Sequence, residues 1–293
     1  MKLRDFLLLV LVCLLWAGNN VLSKIVVSHW HVPPLFYTAV RFAIVAAVTM
    51  AWLRPVPRPA WRIVLVGLMM GAGSFGLMFV GLTYSSPSEA AIVMQAGVPI
   101  TTLLSVWLLK ERIFWRRGLG IAVALAGVLV VVWKPGFQVS HGMGFLLAAT
   151  FTGSLGAVLM KQMDSIAPLQ FQAWVGLTGF LLLAPLSLAT EPGAWPAALA
   201  AGWPLLAAIV WSALVVSVFG HTAYYWLIAR YEANLIAPLT LMTPLVTIAL
   251  GIWITGDAFD ARMALGSALA LAGVLLVALR RTGAPITQVQ ERS

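Results

Sequence analysis

The chain has 293 residues, 61% hydrophobic and 9% charged, with a mean hydropathy of +0.97 and a formal net charge of +9. That much apolar surface exceeds the need of a soluble core, so soluble and disordered classes are excluded and the bilayer is the solvent. The basic residues sit at the ends of apolar segments and make no continuous face, which excludes a nucleic-acid partner.

Splitting the chain at charges and at Pro and Gly leaves ten segments near the roughly 20 residues that cross a bilayer. The first, 6–27, follows Lys2 and Arg4 and imitates a signal peptide. It lacks a small-residue cleavage site and stays apolar to Val27, so it reads as a retained transmembrane helix. The lone Cys13 lies inside it, which leaves no disulfide framework and no metal-ligand spacing. Trp16, Asn19, Asn20 and Ser23 recur there at helical spacing, and polar groups on a spanning helix must turn toward a cavity or a neighbour. The second segment, 34–53, holds Arg41, too deep to reach the interface and therefore turned inward toward a partner. The third, 62–83, carries Phe75, Met78 and Phe79, soft apolar surface suited to a ring. The fourth, 88–109, sets Gln95, Thr102 and Ser105 around Pro99, and 117–133 closes the first half.

The second half repeats the plan with segments 143–161, 169–189, 203–228, 233–254 and 262–279. Its eighth segment holds Trp211, Ser217, His221, Tyr224 and Tyr225; its ninth sets Thr240, Thr243 and Thr247 around Pro244. The residues after Arg281 are polar, and a disordered tail is expected over 283–293. Trp30, Trp52, Trp61, Trp133 and Trp203 fall at segment ends, where an interfacial belt is expected.

The halves are copies. Residues 120–131 (GIAVALAGVLVV) and 266–277 (GSALALAGVLLV) agree at nine of twelve positions. A shift of 145 aligns Pro99 with Pro244, Gln95 with Thr240 and Phe79 with Tyr224; a shift of 146 aligns Glu111 with Asp257 and Gly127 with Gly273, and Lys24 pairs with Lys161 at 137. Each half has five segments, an odd number, so the second enters the membrane inverted and two equivalent gates can exchange roles. Fourteen Lys and Arg lie on one side (Lys2, Arg4, Arg54, Arg58, Arg62, Lys110, Arg112, Arg116, Arg117, Lys161, Arg230, Arg280, Arg281, Arg292), against Lys24, Lys134 and Arg262 on the other. Both termini are therefore expected in the cytoplasm. Domains of 1–135 and 136–282 follow.

Several residues carry a family resemblance: Trp16-Ala17-Gly18-Asn19 with Lys24, Arg41, Pro99 with Leu108-Leu109-Lys110-Glu111-Arg112, and in the second copy Tyr224-Tyr225-Trp226, Pro244 and Ile252 through Asp257. The chain resembles the EamA branch of the drug/metabolite transporter superfamily, with Asp257 in place of the usual Glu and, in aromatic and Met density, the YddG-type aromatic amino-acid exporters. The resemblance implies an all-α membrane protein: ten helices as two inverted five-helix repeats around a central cavity lined by the first, third, fourth, sixth, eighth and ninth spans. It also implies a bacterial inner membrane.

The substrate-binding candidates are Trp16, Asn19, Asn20, Phe75, Met78, Phe79, Gln95, Ser217, His221, Tyr224, Thr240 and Thr243, with Pro99 and Pro244 as kinks or gates. Rings and Met suit an apolar side chain, and neutral amides and hydroxyls suit a zwitterion. The same aromatics serve equally well as packing, and His221 is either a proton carrier or a satisfied neutral side chain. All nine acids fall at or beyond helix ends, which argues against a proton-exchanging carboxylate in mid-membrane. The expectation is a monomeric, cofactor-free uniporter exporting aromatic and other apolar amino acids by alternating access. A sugar or nucleoside exporter, or proton coupling through His221, is the alternative. A lipid-processing enzyme would need HExxH, GxSxG or paired intramembrane acids, and the sequence has none of these.

Overall fold

The computed structural model describes residues 1–110, 115–132, 141–160, 162–163, 166–231, 236 and 239–278. Glu111, Trp133, Lys161, Glu232 and the expected tail 283–293 lie outside the described residues, as do the beginning of the ninth segment and the side chain of Tyr225. Everything in regular structure among the described residues is helical. The helices are α1 (Leu3–His29), α2 (Pro34–Leu53), α3 (Ala60–Tyr84), α4 (Pro87–Leu109), α5 (Trp115–Val132), α6 (His141–Met160), α7 (Pro168–Thr190), α8 (194–230), α9 (Met242–Thr255) and α10 (Ala261–Ala278). Among the described residues seven helices are long and apolar enough to cross a membrane, while α5, α9 and α10 contain shorter apolar stretches. Leu7, Leu11, Leu181, Leu188, Leu206 and Leu265 project outward, the reverse of a soluble protein and the expected surface toward acyl chains. The exposed rings of Trp52 and Trp61 lie near helix ends and that of Trp203 directly follows a break at Gly202, positions that suit an interfacial belt.

One expected boundary moves. Helical structure in the eighth element starts at Ala194 rather than 203, and Gly202 then breaks it with φ 62° and ψ −148°, a conformation that only glycine adopts without strain. A linker-like stretch therefore contains about two turns of helix before the span proper.

The copied segments pack on each other. α5 and α10 run antiparallel, and small residues bring their backbones into contact. A Cβ on Gly127 would collide with the backbone of Ala270, and one on Gly273 with the backbone of Ala124. Likewise a Cβ on Gly120 would lie 3.0 Å from the Gly273 carbonyl oxygen, and one on Gly266 2.9 Å from that of Gly127. Shifting every residue by 146 converts each contact into its mirror. The seam is its own complement, as in a two-fold symmetric dimer.

Irregular winding also recurs. Met69–Gly76 in α3 and Trp211–His221 in α8 are π-helical, with hydrogen bonds reaching one residue further than in an α-helix. The 145-residue shift that aligns Phe79 with Tyr224 places Gly76 on His221, so both widened stretches end at matched points. In α4 a 3₁₀ turn at Met94–Ala96 precedes Pro99, and at the start of α9 Thr243 N donates to the Thr240 carbonyl at 3.0 Å. That carbonyl is the one Pro244 leaves without its α-helical partner, and the tightened turn supplies another.

Acidic side chains hold helix ends together. Asp257 Oδ2 accepts from Ser88 N (2.9 Å) and Ser88 Oγ (2.5 Å), and Oδ1 accepts from Thr255 Oγ1 (2.7 Å). Glu191 caps α2 by accepting from Leu35 N (3.0 Å) and Phe36 N (2.8 Å). Asp260 accepts from Met263 N, Glu89 and Ser86 form a reciprocal cap on α4, and Asp5 accepts from the Tyr231 hydroxyl. These acids are committed to helix N-termini and neighbouring hydroxyls, where unpaired N–H groups and the helix dipole favour negative charge. Asp257→Ala is expected to lower stability by about 2 kcal/mol, because it leaves the Ser88 N–H in the first turn of α4 without an acceptor. A thermal melt in detergent checks this, and an unchanged melting temperature would show that Ser86 alone caps α4.

Candidate functional site

The helices converge on a cavity of about 310 Å³ lined by Trp16, Asn19, Asn20, Arg41, Phe75, Met78, Ala91, Met94, Gln95, Val216, His221, Thr240, Thr243, Pro244 and Thr247. Its walls come from α1, α2, α3, α4, α8 and the start of α9. A broader groove of about 780 Å³ lies between the first turns of α1 and the end of α8, lined chiefly by Leu7, Leu8, Leu11 and other apolar side chains. It offers few convergent polar groups, whereas the central cavity combines aromatic, amide, hydroxyl and guanidinium groups, the mixture that orients a small ligand.

Trp16, Asn19, Asn20, Phe75, Met78, Gln95, His221, Thr240 and Thr243 all reach this cavity, with Pro244 beside them. Phe79, Ser217, Tyr224 and Pro99 are not in its lining. Phe79 is fully buried against Tyr37 at 5.4 Å between ring centroids, and Tyr224 packs edge-on against Trp16 at 5.0 Å. Ser217 turns to Arg41 instead. The expectation for the sixth span also changes. α6 contributes nothing to this wall, because Gly153 and Gly156 let α3 press directly onto it; a Cβ on Gly153 would lie 2.7 Å from Ser74 Oγ. α2 takes its place through Arg41.

The guanidinium of Arg41 is fully buried, and Nε and Nη2 both donate to Ser217 Oγ at 3.0 and 2.8 Å. Its carbon lies 5.0 Å from the Phe75 ring centroid and 5.6 Å from that of Phe79, close enough for cation–π attraction. These are the partners that the inward position on α2 required. The sequence marked Arg41 as buried but contained no pattern naming Ser217 as its acceptor, since the two are 176 residues apart.

A second hydrogen-bonded line joins the same two helices, α2 and α8, about one turn away. The Tyr37 hydroxyl lies 2.7 Å from Ser212 Oγ, which donates to Asn19 Oδ1 at 2.6 Å, so the hydroxyl proton of Tyr37 must point to Ser212. This fixes the Asn19 amide and joins α1, α2 and α8. His221 Nδ1 lies 3.0 Å from the Val216 carbonyl, which can only accept, so Nδ1 carries hydrogen. Its ring stands between Trp16 (5.2 Å) and Phe75 (6.0 Å). Beyond Phe75 and His221 lies a second cavity of about 190 Å³, with Ser217, Gln172 and Ser74 on its walls. Those two rings thus form the partition between two adjoining spaces.

Among the described residues no three metal-ligating side chains come together. Lys24 Nζ donates to the Leu82 carbonyl at 2.7 Å, so this basic residue closes the end of α3 rather than entering the cavity.

Comparison with known proteins places this architecture. A family model described as "EamA-like transporter family" matches residues 4–133 and again 140–279, one match per half. A protein of Salmonella typhimurium named "Probable amino-acid metabolite efflux pump" is 26% identical over 287 residues, covering 94% of this chain and 95% of that protein. One of the same name from Escherichia coli K12 is 25% identical over the same shares. A solved crystal structure shares the fold with a TM-score of 0.62 at 23% identity, covering 94% of this chain and 96% of that one.

Proposed function

Because the chain belongs to the EamA-like transporter family and is a multi-pass membrane transporter rather than an enzyme, we propose that it exports aromatic and other apolar amino acids by alternating access, as an uncoupled uniporter. The observation that carries this reading is the central cavity, where Trp16, Phe75, Met78 and Met94 meet Asn20, Gln95 and the threonines around Pro244. Apolar and sulfur-bearing faces take a ring or branched side chain, while neutral hydrogen-bonding groups take the polar backbone of the cargo. The amino-acid metabolites in the relatives' names accord with a cargo of this size and polarity.

The ten-span, doubly inverted arrangement belongs to the same proposal. It is supported by one family match per half, by the self-complementary seam of α5 and α10, and by the matched irregular turns of α3 with α8 and of α4 with α9. Two equivalent sets of hinges at similar depth allow the halves to alternate in opening to either side. The charge bias supports both termini in the cytoplasm, and membership of a bacterial transporter family supports an inner membrane.

Absence of coupling rests on where the acids are. Asp5, Glu89, Glu191, Asp257 and Asp260 each hold a helix end or a hydroxyl, and none reaches the cavity. Counterflow into proteoliposomes preloaded with Trp or Phe should therefore accumulate labelled amino acid without any ion gradient, at the same rate from pH 6 to 8. Counterflow with glucose alone would replace the cargo. Transport only under a proton gradient would replace the mechanism and return attention to His221.

A further inference from the structure

We infer that Arg41 is an anion-recognition group of the central cavity, and that cargo is selected by a carboxylate that docks there. This deepens the reading above, because it takes the cavity to be the place where cargo binds.

Three observations point the same way. First, the guanidinium is wholly buried yet meets no carboxylate: the ion pairs among the described residues join Arg4 with Asp5 and Arg262 with Asp260, both at helix ends. Ser217 Oγ, one neutral acceptor, serves two of its N–H groups, and two phenyl faces soften the charge without cancelling it. A buried charge left in this state is expensive, and Arg does not discharge itself by losing a proton. Second, Nη1 is buried without a hydrogen-bond partner, on a side chain that lines the cavity. Third, Trp16 Nε1 is likewise buried without a partner on the same cavity. Both atoms can only donate. A carboxylate supplies two oxygens with four lone pairs and a full negative charge; a hydroxyl or an amide oxygen can also accept from two donors, but it leaves the guanidinium charge unpaired.

The selectivity that follows differs from a simple preference for rings. Neutralising the carboxylate of a cargo removes the partner of Arg41, whereas removing its ammonium does not, since no acidic side chain among the described residues lines the cavity to receive one. An aromatic acid without an amine should therefore bind, and an aromatic amide of the same shape should not. Arg41 would act as a fixed charge that reads the acid end while Trp16, Phe75 and Met78 read the body.

The test compares ligand-induced thermal stabilisation of the purified full-length protein in detergent at constant ionic strength. The probes are 3-phenylpropionate and 3-phenylpropanamide, nearly identical in shape and differing in charge. Wild-type protein should be stabilised by the acid, with at least tenfold weaker binding of the amide. Arg41→Gln should erase the preference and Arg41→Lys should keep it at reduced affinity. Equal stabilisation by both probes, by neither, or a preference that survives Arg41→Gln would overturn the inference. The wild-type comparison stands even if Arg41→Gln does not fold. Should Phe counterflow fail while the acid still stabilises the protein, amino-acid export falls and the anion site stands. Should Phe counterflow succeed while acid and amide bind equally, the anion site falls and export stands.

Discussion

Gly273→Leu is expected to leave little folded transporter, and Gly127→Leu the same. At both positions even a Cβ would enter the backbone of the opposite helix, Ala124 in one case and Ala270 in the other. Backbone cannot swing aside as a flexible side chain can, so α5 and α10 must separate along their length. Overpacking a tight interface typically costs up to about 3 kcal/mol and more where rigid groups collide. Stability margins of whole proteins are about 5–15 kcal/mol, so an alanine at either site should lower the melting temperature visibly and a leucine should abolish a monodisperse peak. Gly144→Ala on α6 serves as the control, because nothing lies within 4 Å of its Cβ position. It should be neutral or slightly stabilising, as alanine favours helix. The double variant Gly127→Ala with Gly273→Ala should fall short of the sum, since the first substitution already parts the helices that the second would push. Full additivity would show that the two contacts do not belong to one seam.

Trp16→Ala should cost transport of aromatic cargo at least tenfold in apparent affinity, equivalent to about 1.4 kcal/mol. The indole forms cavity wall, stacks obliquely on His221 at 5.2 Å and steadies Tyr224 at 5.0 Å. Removing it deletes a ring partner for the cargo and a donor, Nε1, that no described protein group accepts. Trp16→Phe separates these roles by retaining much of the aromatic surface without the N–H. The expected order of affinity is wild type, then Phe, then Ala, with the gap to Ala larger for Trp and Phe cargo than for a small aliphatic amino acid. Competition in counterflow, read beside a melting temperature for each variant, checks the order. An equal loss for small and aromatic cargo would assign Trp16 to packing alone.

Several parts of this arrangement are legible in the sequence alone, for reasons that differ residue by residue. Asn19, Asn20, Gln95 and Thr243 read as inward-facing because lipid offers a polar group no partner. Phe79 and Tyr224 look no different from Phe75 and Trp16, since a ring against lipid-free protein obeys the same preferences as a ring against a cavity. Arg41 is plainly inward, but its acceptor comes from the other half, and pairing across 176 residues leaves no local periodicity to read. The sixth span, expected in the wall, is withheld from it where glycines on α6 let α3 pack closely against that helix. The break at Gly202 is hidden for a related reason: a glycine among alanines reads as a weak helix residue, and only its φ of 62° reveals the corner.

The seam of α5 and α10 also explains where the chain still resembles itself. At the cavity the halves differ, with Gln95 answered by Thr240, because neither wall is packed against its counterpart as the seam helices are. In the seam a change in one copy alters both ends of a reciprocal fit: Gly127 receives Ala270, while its own carbonyl is the surface against which Gly266 rests. A letter there is read twice. The likeness of the two copies is accordingly plain in the stretch where each must fit the other.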